Sequence, residues 1–130
     1  MNDNSKSMRA TLRAAEQRGE FVAWLRADFN RLVAAADLLG GEPWTRRAGV
    51  VAEAMASGAS PEVVEEELIE LHRLLTLEFA DDIESDEAAR FAAVHPDDPI
   101  ADDARVCAEA LERGLQALRA FPALAVKEAA

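Results

Sequence analysis

The chain has no tyrosine, a single cysteine, five prolines and six glycines among 130 residues. Each scarcity removes a class of protein. Cys107 has no partner with which to cross-link the chain, so a disulfide scaffold is excluded and a reducing, cytoplasmic setting is expected. With so little glycine and proline and half of the residues apolar, neither a low-complexity linker nor a wholly disordered chain fits. Uninterrupted apolar runs last only a few residues, far short of the roughly 20 that a membrane span needs. The opening MNDNSKSMRATLRAAEQRGE lacks the apolar stretch of a secretory signal. No segment alternates apolar and polar residues with a period of two, so no half-buried strand is expected.

Basic side chains are also in short supply, and the net charge is −11. The deficit is uneven. Residues 1–60 carry eight basic and seven acidic side chains, whereas residues 61–130 carry six and eighteen. Direct nucleic-acid binding through a basic footprint is therefore disfavoured, as is attachment to an anionic membrane surface.

What remains is helical spacing rich in alanine, leucine, glutamate and arginine. The predicted fold is all-α, a four- or five-helix bundle in one domain over 1–130, with 1–6 and 122–130 as tails. A long first helix is predicted from Ser7 to Leu39, on the stripe Met8, Leu12, Ala15, Gly19, Val22, Leu25, Phe29, Leu32, Ala36 and Leu39. Such a helix would be roughly 50 Å long in a domain about 36 Å across. Either it breaks at Gly19, or its first turns protrude, or another chain covers them; without a capping residue after Gly19, continuity is the expectation.

GGEP at 40–43 reads as a turn, and a second helix presents Trp44, Ala48, Val51 and Met55 before stopping at Ser57-Gly58. Ser60-Pro61-Glu62 marks the start of a third, predicted to run to Ile83. Its core arc is Val64, Leu68, Leu71, Leu75 and Phe79. A second apolar arc holds Val63, Leu74 and Leu77, which places this helix at the centre of a bundle or against another subunit. A short fourth helix begins after Ser85 and ends at His95-Pro96. A fifth, capped by Asp98, carries Ile100, Ala104, Cys107, Leu111, Leu115 and Leu118 to a stop at Phe121-Pro122.

The acids concentrate in Val64–Glu87, where ten of the side chains are carboxylates. They resist the common chemical readings. DIESDE at 82–87 starts like a calcium loop, but Glu87 stands where the loop needs glycine and Ala93 where it needs a bidentate acid. A helical di-iron site requires Glu-x-x-His pairs, and Ile69 and Ala92 occupy that offset before His72 and His95. The glycines at 40 and 41 lack the spacing of a phosphate-cradling loop. Hence no catalytic, cofactor or metal site is expected. His72 reads as a packing residue, Cys107 as a core residue, and Trp24 as a contact for another helix or another molecule.

Three readings of the carboxylates stay open. They form a solvated face, or pair with Arg9, Arg13, Arg18, Arg26 and Arg31 of the first helix, or meet a basic surface of another protein. The last is the leading functional expectation: an acidic, non-enzymatic binding module using Glu62, Glu66, Glu70, Asp81, Asp82 and Glu84. A variant has the acids imitate nucleic-acid phosphates and block a DNA- or RNA-binding enzyme. A different class would be a small enzyme or metal-dependent accessory subunit using His95 with Asp97, Asp98, Asp102 and Asp103. A homodimer is also envisaged, through the long first helix or the second apolar side of the third.

Overall fold

A computed structural model describes the backbone of residues 2–78, 82, 84–95 and 97–120, and the side chains of these beyond residue 7. Its elements are α1 (Asn2–Gly40), α2 (Glu42–Ala56), a 3-10 turn over Pro61–Val64, α3 (Glu65–Leu75), α4 (Asp86–Ala93) and α5 (Pro99–Ala120). The all-α bundle expected from the spacing is the fold. The predicted 122–130 tail lies outside the described residues, and the backbone of 2–6 continues α1.

Four helices run alternately up and down. Gly41, with a positive φ of 77°, turns the chain from α1 into α2, and Thr45 Oγ1 donates to Asp37 Oδ1 across that corner. Phe21 on α1 faces Gly114 on α5, and Arg31 approaches Asp103, which makes those helices antiparallel. Arg18 meets Glu62 near the start of the third column, while Leu39 and Leu75 share one groove at its far end, so α3 follows the direction of α1. Helix α4 straps that far end.

The core is built from leucine. Leu25, Leu32, Leu68, Leu71, Leu74, Leu111 and Leu118 are all but sealed from solvent. Each such burial stabilises the fold by roughly 1.5–3 kcal/mol relative to exposure. The predicted stripes of α2 and α5 hold closely: Trp44, Ala48, Val51 and Met55 are buried, as are Ala104, Cys107, Leu111, Leu115 and Leu118. Among the described residues no charged or polar side chain is fully buried.

Three expectations need correction. First, α1 does continue through Gly19, but its backbone departs from helical geometry at Asp28 (φ −114°, ψ 17°). Its apolar stripe also divides. Ala14, Phe21, Leu25, Leu32, Ala35, Ala36 and Leu39 face the core, while Met8, Leu12 and Phe29 remain exposed. Second, α3 stops at Leu75 rather than at Ile83. Leu77 takes a left-handed conformation (φ 63°) and donates its N–H to the Leu74 carbonyl, which ends the helix without a glycine. Phe79 and Ile83 lie outside the described residues. Third, Ser60 takes the extended backbone of a helix cap, but its hydroxyl donates to Glu62 Oε2 rather than accepting from the first turn. The second arc of α3 is split: Leu74 is fully buried, while Val63 and Leu77 are 73% and 45% exposed.

Helices α1 and α5 approach closely where Phe21 faces Gly114. A Cβ on Gly114 would overlap atoms of the Phe21 ring. Glycine in a helix interior normally costs about 1 kcal/mol relative to alanine, so Gly→Ala at an open site stabilises. At Gly114 the sign should reverse. Gly114→Ala is expected to destabilise by about 1–3 kcal/mol through overpacking, read as a lower midpoint in urea with the slope preserved. An unchanged or raised midpoint would mean that α1 and α5 are farther apart than described.

Candidate functional site

The acids do not form one uninterrupted field. Arg18 donates from Nε and Nη2 to both carboxylate oxygens of Glu62, at 3.0 and 2.9 Å, in a forked pair whose two side chains are about one-fifth exposed. Arg47 Nε donates to Glu67 Oε2 at 2.9 Å while its guanidinium lies 4.6 Å from the Trp44 ring centre. Arg73 on α3 bonds both Glu70 and Glu78, which raise its pKa above the ordinary arginine value. Arg31 stands 3.9 Å from Asp103. The carboxylates of residues 61–130 are therefore partly compensated by arginines of residues 1–60, contrary to a wholly uncompensated surface.

The six residues expected to meet a partner fall into different settings. Glu62 is engaged by Arg18 and Ser60, and Glu70 by Arg73. Glu66, Asp82 and Glu84 are exposed, with Asp82 Oδ1 accepting from the Glu84 backbone N–H at 3.2 Å. Asp81 lies outside the described residues. Glu62 precedes α3 and Asp82 follows it, so at about 1.5 Å per residue the whole helix separates them.

The alternative cluster around His95 is a helix-entry loop. His95 is largely exposed, and its Nδ1 accepts from the Asp97 backbone N–H at 3.1 Å. Asp98 Oδ1 accepts from Ile100 N–H at 2.9 Å and so caps α5, as its position predicts. Asp102 takes a 2.7 Å bond from Arg105 and raises that guanidinium's pKa. Among the described residues no three His, Cys, Asp or Glu side chains gather closely enough to hold a metal ion. Elsewhere, His72 is half-buried with its Nε2 enclosed and without a hydrogen-bond partner among the described residues. Trp24 stacks on Phe21 at 6.3 Å between ring centres and packs against the core.

A feature that sequence reasoning missed is a groove of about 470 Å³ where α1, α3, α4 and α5 meet. Leu39, Leu75, Leu77, Phe91 and Val94 supply its apolar floor and walls, and Ala104 and Ala108 keep its α5 side shallow. Arg105, Glu109 and Glu112 stand along that side, with Arg105 bonded to Asp102 and the two glutamates one turn apart. Helix α4 forms the outer wall through polar clasps. Trp44 Nε1 donates to Glu87 Oε1 at 3.0 Å, and Arg90 Nη2 donates to the Asp37 carbonyl at 2.8 Å. Ser85 caps α4 by accepting from Ala88 N–H at 3.0 Å. None of the side chains of α4 is fully buried, so those clasps, with Phe91 and Val94, hold it in place. The groove depends on α3 ending at the left-handed Leu77, and no residue type in the sequence marks that stop.

Cys107 is inside the bundle, and burial pushes its thiol up to about 11, with Asp103 adding to the shift and Arg31 opposing it. Because the folded thiol keeps its proton to a higher pH than the unfolded one, its contribution to stability is full below the ordinary thiol pKa of about 8.5 and declines as the pH rises toward 11. Native Cys107 is expected to react with N-ethylmaleimide at pH 8 about 100-fold more slowly than after unfolding in urea. Rapid labelling of the native chain would contradict the burial. The acids should also separate by substitution. Glu62→Ala strips the partner from a poorly exposed arginine and is expected to cost about 1–2 kcal/mol, whereas Glu66→Ala should stay within about 0.5 kcal/mol. Equal effects on the urea midpoint would remove the distinction between paired and solvated carboxylates.

No protein-family model matches the chain, nor does any curated protein or solved structure. The functional reading therefore rests on the chain's own residues.

Proposed function

We propose that the protein is a non-enzymatic binding module that receives a basic, amphipathic segment of a partner protein in the groove between α3, α4 and α5. The observation that carries this reading is the juxtaposition of an apolar trough with the carboxylates Glu109 and Glu112 on its α5 side, where Arg105 also stands but is engaged by Asp102. An amphipathic helix places apolar anchors three and four residues apart and its charges beside them, which matches a trough with charge along one lip. Leu77, 45% exposed, and the half-buried Phe91 and Val94 supply apolar surface not yet removed from water. The exposed acids Glu66, Asp82 and Glu84 extend the negative potential that would draw such a segment in and speed its encounter. The paired Glu62 and Glu70 contribute to the fold and less to that field. This adds Glu109 and Glu112 as contact residues, while Glu66, in the first turn of α3 and away from the groove, contributes to the field alone. Among the described residues no helix is long and apolar enough to cross a membrane, and the single buried thiol fits a reducing, cytoplasmic setting.

The reading is tested with synthetic helical peptides that carry leucine anchors at i and i+4 and a row of either arginine or glutamate. The arginine peptide is expected to shift the backbone resonances of Leu75, Leu77, Phe91 and Ala108, and the glutamate peptide is not. Glu109→Lys with Glu112→Lys should weaken the arginine peptide at least about tenfold at low salt, with a smaller difference near 0.5 M salt. Resonance shifts confined to other faces, or affinity indifferent to both the reversals and salt, would defeat the proposal.

A further inference from the structure

The first turns of α1 carry a second surface, independent of the groove. There the apolar residues Met8, Leu12, Ala15, Gly19 and Val22 alternate in steps of four and three, the seven-residue repeat of a coiled-coil seam. The seam lies beside the core face rather than on it. Met8 and Leu12 are 65% and 64% exposed, Gly19 is exposed, and Ala15 and Val22 are half-buried, whereas the core-facing residues of the same turns are Ala14, Phe21 and Leu25.

A Cβ at Gly19, as at Gly49 in α2, would meet nothing within 4 Å among the described residues, so each holds a poor helix former in open space; only Gly19 lies on the seam. A missing side chain on an exposed seam allows a second helix to approach closely. We propose that two copies of the chain pair antiparallel through this seam, around a two-fold axis that passes between Arg13 and Ala14. That register sets Met8 of one copy over Gly19 of the other and Leu12 over Ala15, a large residue against a small one in both kinds of layer, with Val22 outside the paired stretch. It also sets Arg9 opposite Glu16 on one flank, twice by symmetry. Both side chains are exposed, and neither has an ion-pair partner among the described residues. Parallel pairing would instead stack Met8 on Met8 and Gly19 on Gly19, which leaves a gap where the glycines meet. The contact is reciprocal and closes on itself, so it yields a dimer rather than a filament. The paired stretch from Met8 to Gly19 is about three helical turns, short against a standard interface of roughly 800 Å² per partner, and so fits a weak, concentration-dependent dimer.

Sedimentation of the full chain from about 5 to about 500 μM should show a monomer–dimer equilibrium. Gly19→Leu is the decisive variant. In the monomer it replaces glycine with a good helix former in open space, so its thermal midpoint should rise, while the added side chain blocks the approach and weakens dimerisation at least about tenfold. Leu12→Glu should weaken the dimer comparably with the thermal midpoint preserved. Arg9→Glu should weaken it, and Arg9→Glu with Glu16→Arg should restore it. A monomer at every concentration would overturn the proposal. So would a dimer indifferent to Gly19→Leu, or a Leu12→Glu chain that loses thermal stability at dilution, which would assign the seam to the chain's own packing.

Discussion

The contact of Phe21 with Gly114 sets the spacing on which the bundle depends. Helices usually pack with axes 8–10 Å apart, and the distance is set by the side chains at the crossing. With no side chain on α5 at this point, an aromatic ring on α1 lies directly on the α5 backbone. The ring is buried and in turn supports Trp24, which stacks on it nearly parallel. Once α1 and α5 are held at that separation, Leu25, Leu32 and Leu111 fill the space beside them, and α3 inserts Leu68, Leu71 and Leu74 from the third side.

Polar interactions lock the periphery instead of the centre. Among the described residues the core contains no buried charge, and the half-buried bonds lie where elements join. Arg18 and Glu62 bind the first column to the third, Arg47 and Glu67 the second to the third, and Trp44 and Glu87 the second to α4. Exposed ion pairs contribute little, and forked or partly enclosed ones contribute more. The Arg18–Glu62 fork therefore belongs to the architecture, whereas Glu66 stays available to the surroundings. The overall negative charge is a sum over carboxylates with different duties, and the charge total does not separate them.

That separation marks how far the sequence could be read. Apolar spacing and local stop signals located the helices, and spacing identified the buried face of α2 in full and five of the six residues expected for α5. Ile100 is half-buried, and spacing missed the buried Ala110, Gly114 and Ala117 because small residues carry little hydrophobic signal. It went astray where the physics is not periodic. The stripe of α1 carries two faces in one run, since steps of three and four satisfy both a core and a seven-residue seam, and the departure at Asp28 has no glycine or proline to announce it. The end of α3 was missed because leucine takes the left-handed position that glycine normally marks, at a cost on the order of 1–2 kcal/mol. The capping roles of Ser85 and Asp98 were legible from local chemistry alone. The groove was not, since it is assembled from four elements far apart in the chain.

The strained Leu77 links these observations. A helix continuing past Leu75 with its period intact would carry its later turns alongside α5, over the space where the groove now lies. Ending α3 there opens a gap beside Ala104 and Ala108, and α4 borders that gap without filling it, since no side chain of α4 is fully buried. Backbone strain persists only where the surrounding structure holds it, and such positions cluster at binding sites. Leu77 is held by its hydrogen bond to the Leu74 carbonyl, yet 45% of its surface stays exposed within the groove it helps to create. A leucine that bears conformational strain without being buried stabilises the isolated chain poorly. Its fuller stabilisation would come when a second apolar surface covers it, a condition that the proposed partner segment would meet.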